Sequence, residues 1–124
     1  MKIAVDAMGG DFAPKEIVAG AILAAKRYDC EIVLVGDQTQ IQKELDKNYP
    51  EWRKSTISIH HASDVVGMGE HPGVAVRRKK DSSIVVATRL VKEGKCDAVL
   101  SAGNTGAAAA SALFILGRIK GIDR

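Results

Sequence analysis

Short apolar runs and longer amphipathic stretches alternate along this chain. Lys2 to Asp6, KIAVD, is rich in β-branched residues and ends in the small turn Ala7, Met8, Gly9, Gly10, Asp11, which predicts a strand and a tight turn. Beyond Pro14, the residues Ile17, Val18, Ala21, Ile22 and Ala25 recur at helical spacing and predict a helix to about Tyr28. Glu31 to Gly36, EIVLVG, is a continuous apolar run and predicts a buried strand. Asp37 is placed to cap a second helix, with Ile41 and Leu45 on its inner face and Gln40, Lys43, Glu44 and Lys47 toward water. From Thr56 to Ala62, Ile57 and Ile59 alternate with polar partners, the pattern of a strand near an edge.

Ser63 to Lys80 carries three glycines and one proline among charges of both signs, and reads as a long functional loop with a helical turn near Val74. Asp81 and Ser82 offer an N-cap to a helix that ends near Gly94. Ala98, Val99 and Leu100 form a fourth strand, followed by the turn Ser101, Ala102, Gly103, Asn104, Thr105, Gly106. The last helix, Thr105 to Leu116, is apolar all round, which predicts burial on more than one side, in a subunit interface or under further chain. Strands and helices in strict alternation imply right-handed crossovers and a mostly parallel sheet. The expected fold is a single α/β domain over residues 1–124, a Rossmann-like three-layer α/β/α sandwich.

Composition supports one core. The chain is 46% hydrophobic but only 4% aromatic, which suits aliphatic parallel strands under close-packed helices. The net charge of +3 is concentrated in Arg77, Arg78, Lys79 and Lys80, and the aromatic interleaving of nucleic-acid binders is missing, so no nucleic-acid partner is expected. Cys30 and Cys96 stand far apart and read as small apolar residues of a reducing cytosol. The start is too briefly apolar for a signal peptide, and Ala107 to Leu116 is shorter than a membrane span.

Candidate chemistry lies in the two glycine turns. Strand carboxyl ends share one side of a parallel sheet, so Met8 to Asp11 and Ser101 to Gly106 are both placed to line one crevice. Glycines admit close approach, and helix-start N–H groups favour an anion. An ordinary turn with Asn104 or Thr105 as N-cap explains the second stretch equally well. GxGxxG and GxxxxGK[ST] fingerprints are absent, which disfavours a dinucleotide. Asp6 and Asp11 flank the first turn, as candidates to orient a hydroxyl or act as a base, or as plain turn and cap residues. The basic run is either an oxyanion or partner site or a solvated face. His60, His61 and His71 lack metal spacing, and only His71 is placed to be tested as a general acid or base.

Three motifs then occur together: IAVDAMGGD to Pro14, MGEHP leading to RRKKDSS over Met68 to Ser83, and SAGNTGA over Ser101 to Ala107. In order and spacing they resemble the phosphate acyltransferases of the PlsX type in bacterial phospholipid synthesis. The resemblance covers the whole chain but well under half of a family member, its N-terminal part. It implies a phosphotransacetylase-like fold and transfer of a fatty acyl group from acyl carrier protein to inorganic phosphate, with no cofactor or metal. It also implies a cytoplasmic homodimer that associates peripherally with the membrane surface. The resemblance supplies no residue list; the residues themselves suggest that Ser101, Gly103, Asn104, Thr105 and Gly106 hold phosphate or the transferring acyl phosphate. Asp6, Gly9, Gly10 and Asp11 form the opposing wall, Arg78, Lys79 and Lys80 add positive charge, and Asn104 and Asp6 are the catalytic candidates. The alternative is a Rossmann-like anion-binding or protein-interaction domain without catalysis.

Overall fold

The computed structural model describes residues 1–122 of the chain. Four strands, β1 (Lys2–Asp6), β2 (Glu31–Gly36), β3 (Ile57–His61) and β4 (Ala98–Leu100), form one all-parallel sheet in the order β3-β2-β1-β4. The reversal of direction from β3 to β4 puts the switch point of the sheet between β1 and β4, where ligands of open α/β sheets bind. Ala4 pairs with Val33 on one side and Val99 on the other, so β1 is central.

Alternation along the strands assigns the two faces. Val5, Ile32 and Leu34 pack beneath α1 (Lys15–Arg27) and α2 (Gln38–Asn48), against Val18, Ile22, Ile41 and Leu45. Ala4, Val33 and Val35 face α4 (Ser83–Lys92) through Val86, Ala87 and Leu90. Burial of side chains such as Leu34, Ile41 and Leu45, all at 0% exposure, contributes about 1.5–3 kcal/mol each. Asp37 caps α2 as expected, accepting from the Gln40 N–H at 3.0 Å.

Three expectations are corrected. In the Ser63 to Lys80 stretch the helical turn expected near Val74 extends to a helix, α3 (Pro72–Arg78), with Pro72 in its first turn and His71 at its N-cap, while the rest is loop. At the start of α4 Ser82 holds the N-cap position, but its buried hydroxyl makes no cap bond, and Asp81 instead accepts from the Ser63 N–H and hydroxyl. The last helix, α5 (Thr105–Ser111), runs into a π turn at Ala112–Leu116 and is not buried all round. Ala107 and Ser111 face α3 and α4, whereas Leu113 and Phe114 remain 45% and 48% exposed. Among the described residues no helix is long and apolar enough to cross a membrane.

Candidate functional site

The two glycine turns meet at one rim of the sheet. Ser101 Oγ donates to Asp6 Oδ2 at 2.8 Å, and Asp6 Oδ1 accepts from the Met8 N–H at 3.2 Å. The Gly103 N–H in turn donates to Ser101 Oγ at 3.1 Å. Carboxylate, hydroxyl and amide thus form one chain of hydrogen bonds that joins the end of β1 to the end of β4.

Glycine is required where the turns touch. A Cβ on Gly103 would lie 2.8 Å from Gly9 Cα, and one on Gly9 would lie 2.5 Å from Asp6 Oδ2. Either contact is closer than packed carbon and oxygen atoms tolerate. Gly10 adopts φ +119°, a left-handed conformation that L side chains rarely take, and sits over the Ala102 carbonyl.

Asn104 brings a third segment to the rim. Its Oδ1 accepts from the Ala107 N–H at 3.0 Å and caps α5. Its Nδ2 donates to the carbonyls of Gly67 at 3.1 Å, Glu70 at 3.2 Å and Met68 at 3.4 Å. The amide therefore pins residues 67–70 beside the α5 N-terminus. Gly106 meets Pro72 so closely that a side chain there would collide with the proline ring.

These contacts redirect several sequence-level assignments. Asn104 is not free to polarise a carbonyl, since both amide hydrogens are engaged by the 67–70 carbonyls. Asp6, 4% exposed, has both carboxylate oxygens occupied in organising the turns. Asp11 is exposed and does not cap α1, whose N-cap position is Pro14. His71 Nδ1 accepts from the Val74 N–H, a capping role. Lys79 leaves the basic run altogether: its Nζ donates to Glu70 Oε2 and to the Val65 carbonyl, each at 2.8 Å. Arg78 and Lys80 are exposed, and Lys80 lies with Arg77 and Arg89 around a separate groove. Residue type alone could not reveal the partners of Asn104 Nδ2 and Lys79, or the Ser101 partner of Asp6, which lie between 9 and 95 positions away in the chain.

The Lys79 pair is also electrostatically tuned. Hydrogen bonds from Lys79 and from the Gly67 N–H hold the Glu70 carboxyl below its ordinary range, and Glu70 holds the Lys79 ammonium above its own. Loop 67–70 is therefore fastened twice, by Asn104 from one side and by Lys79 from the other.

Chemically, what the rim offers is backbone. The N–H groups of Gly9 and Gly10 donate to no other described group, and the first turn of α5 adds the positive end of its dipole. Such a surface fits a small oxyanion. Beside it, an apolar groove of about 650 Å³ opens between β1, β4 and α1, running from Asp6, Ser101 and Ala102 past Val5 and Ile17. Among the described residues no group of three or more His, Cys, Asp or Glu side chains is gathered as a metal site.

Comparison with known proteins gives a consistent picture. A family model described as fatty acid synthesis protein matches residues 1–124. A phosphate acyltransferase of Desulforamulus reducens is 63% identical over 124 residues, covering 100% of this chain and 36% of that protein. One from Pelotomaculum thermopropionicum is 60% identical over all of this chain and 35% of its own length. One from Clostridioides difficile is 51% identical, again over all of this chain and 36% of its own length. The chain spans little more than a third of the length of these relatives.

Proposed function

The chain belongs to the family described as fatty acid synthesis protein, and from that premise we propose that it is the N-terminal part of an enzyme that transfers a fatty acyl group from acyl carrier protein to inorganic phosphate. The reaction is a displacement at a thioester. A phosphate oxygen bonds to the carbonyl carbon, the carbon–sulfur bond breaks, and the thiolate leaves to take up a proton.

The observation that carries this reading is the contact of the two glycine turns at the switch point of the sheet. It brings backbone N–H groups and a helix start to one place and lets nothing larger than glycine intrude. Phosphate is itself the nucleophile, so the protein's task is to desolvate it, aim it, and stabilise the oxyanion on the carbonyl. Asp6, Ser101 and Asn104 serve that task at one remove, by fixing the turns and loop 67–70, and Gly9, Gly10, Gly103, Thr105 and Gly106 supply the main chain that faces the ligand. The adjoining apolar groove gives an acyl chain a wall of Val5, Ile17 and Leu100. A homodimer working at the cytoplasmic membrane surface belongs to the same reading.

Transfer of an acyl group from carrier protein to labelled inorganic phosphate, measured in a chain extended to the length of its relatives, tests the reaction. Labelled acyl phosphate that depends on the enzyme is expected. Hydrolysis to free fatty acid with no labelled product would overturn the proposal.

A further inference from the structure

The run Arg77 to Lys80 divides in the structure. Lys79 turns to Glu70, while Arg77 and Lys80 join Arg89 of α4 around a groove of about 500 Å³. Val76, Val85, Phe114 and Ile115 form the apolar part of its lining, and no acidic side chain contributes to it. The parts are held together: the Arg77 guanidinium lies over the Phe114 ring, 4.9 Å from its centroid, and Arg89 donates to the Lys80 carbonyl at 3.1 Å. Three cations around a concave apolar floor are the complement of a helix with an apolar stripe and acidic flanks.

We propose that this groove docks an acidic amphipathic helix of the carrier protein that delivers the acyl group. The inference rests on the reading that the acyl donor is a carrier-bound thioester. Concavity favours a helix over a lipid surface, which is flat and is met by protruding side chains. The position fits delivery as well. Asn104 caps α5 at the rim and Phe114 lies ten residues on, about 15 Å at helical rise, within reach of the long flexible arm that carries such a thioester.

Binding of holo acyl carrier protein to the chain extended to the length of its relatives, followed by titration calorimetry at low and at physiological salt, tests the proposal. The probes are wild type, the double variant Arg77→Glu with Lys80→Glu, and, as a charge-matched control on the exposed face of α2, Lys43→Glu with Lys47→Glu. We expect the double variant to lose about tenfold or more in affinity, the control to stay within about twofold, and wild-type binding to weaken with salt. Equal losses in both variants, or unchanged affinity in the double variant with its fold intact by circular dichroism, would overturn it. So would loss of binding to anionic phosphatidylglycerol vesicles, in the double variant, without loss of carrier binding. Inorganic phosphate titrated into the double variant separates this inference from the one it rests on, because the rim turns retain their response if only the docking surface is wrong.

Discussion

Ser101 Oγ donates to Asp6 Oδ2 across 2.8 Å, linking residues 95 positions apart at the junction of β1 and β4. The bond matters because Asp6 is 4% exposed, so a carboxylate oxygen deprived of its donor is poorly hydrated. Ser101→Ala is expected to cost about 1–3 kcal/mol, read as a lower urea midpoint at unchanged slope. An unchanged midpoint would show that the bond does not hold the turns together.

Gly103→Ala is a steric test of the same junction. The added methyl would lie 2.8 Å from Gly9 Cα, main chain that cannot swing aside as a side chain can. The expected outcome is a cost of about 1–3 kcal/mol, with the turns forced apart and phosphate response lost at both. Gly20→Ala serves as control, since a methyl there meets nothing within 4 Å, and it should be neutral or slightly stabilising.

Asn104 can be dissected by comparing two replacements. Asn104→Asp keeps an oxygen to cap α5 but cannot donate to the Gly67, Met68 and Glu70 carbonyls. Asn104→Ala loses both functions and is expected to cost about 0.5–2 kcal/mol through the cap alone. Faster amide exchange across residues 67–70 in both variants, with α5 protected only in the aspartate, is the predicted pattern.

The Glu70 and Lys79 pair fixes the pH window of loop 67–70. Glu70 is depressed below its ordinary value of 4.5, first by the Lys79 hydrogen bond and then by the Gly67 N–H, against the opposing effect of desolvation. Its contribution is therefore complete above that value and lost as pH falls through the lowered folded one. Lys79 is raised above 10.5, first by the Glu70 hydrogen bond, so its contribution is complete below that value and lost as pH rises through the folded one. Protection of the Gly67 amide should hold between these limits and fall away in acid below 4.5, and Glu70→Gln should abolish the acid step.

Strands, helix order and the shared rim were legible in the sequence because each rests on local pattern and on the parallel-sheet rule. Helix α3 was legible only as a turn near Val74, because Gly67, Gly69, Pro72 and Gly73 punctuate the stretch as a loop, while Pro72 in fact occupies a helix's first turn. The meeting of the two glycine turns was legible by position, but the partners of their side chains were not. Asn104 reads as a polar group free for a ligand until its partners in residues 67–70 are known, and Lys79 reads as one of four exposed cations until Glu70 is seen beside it. Long-range hydrogen bonds leave no periodic trace in the chain.

The central claim, that the two glycine turns form one oxyanion cradle, is tested most directly by titrating inorganic phosphate into the 124-residue chain and following backbone amides by NMR. Saturable shifts at Gly9, Gly10 and residues 101–106 together, absent in Gly103→Ala, are the predicted result. Shifts confined to exposed lysines and arginines, or no saturable shift in either turn, would contradict it.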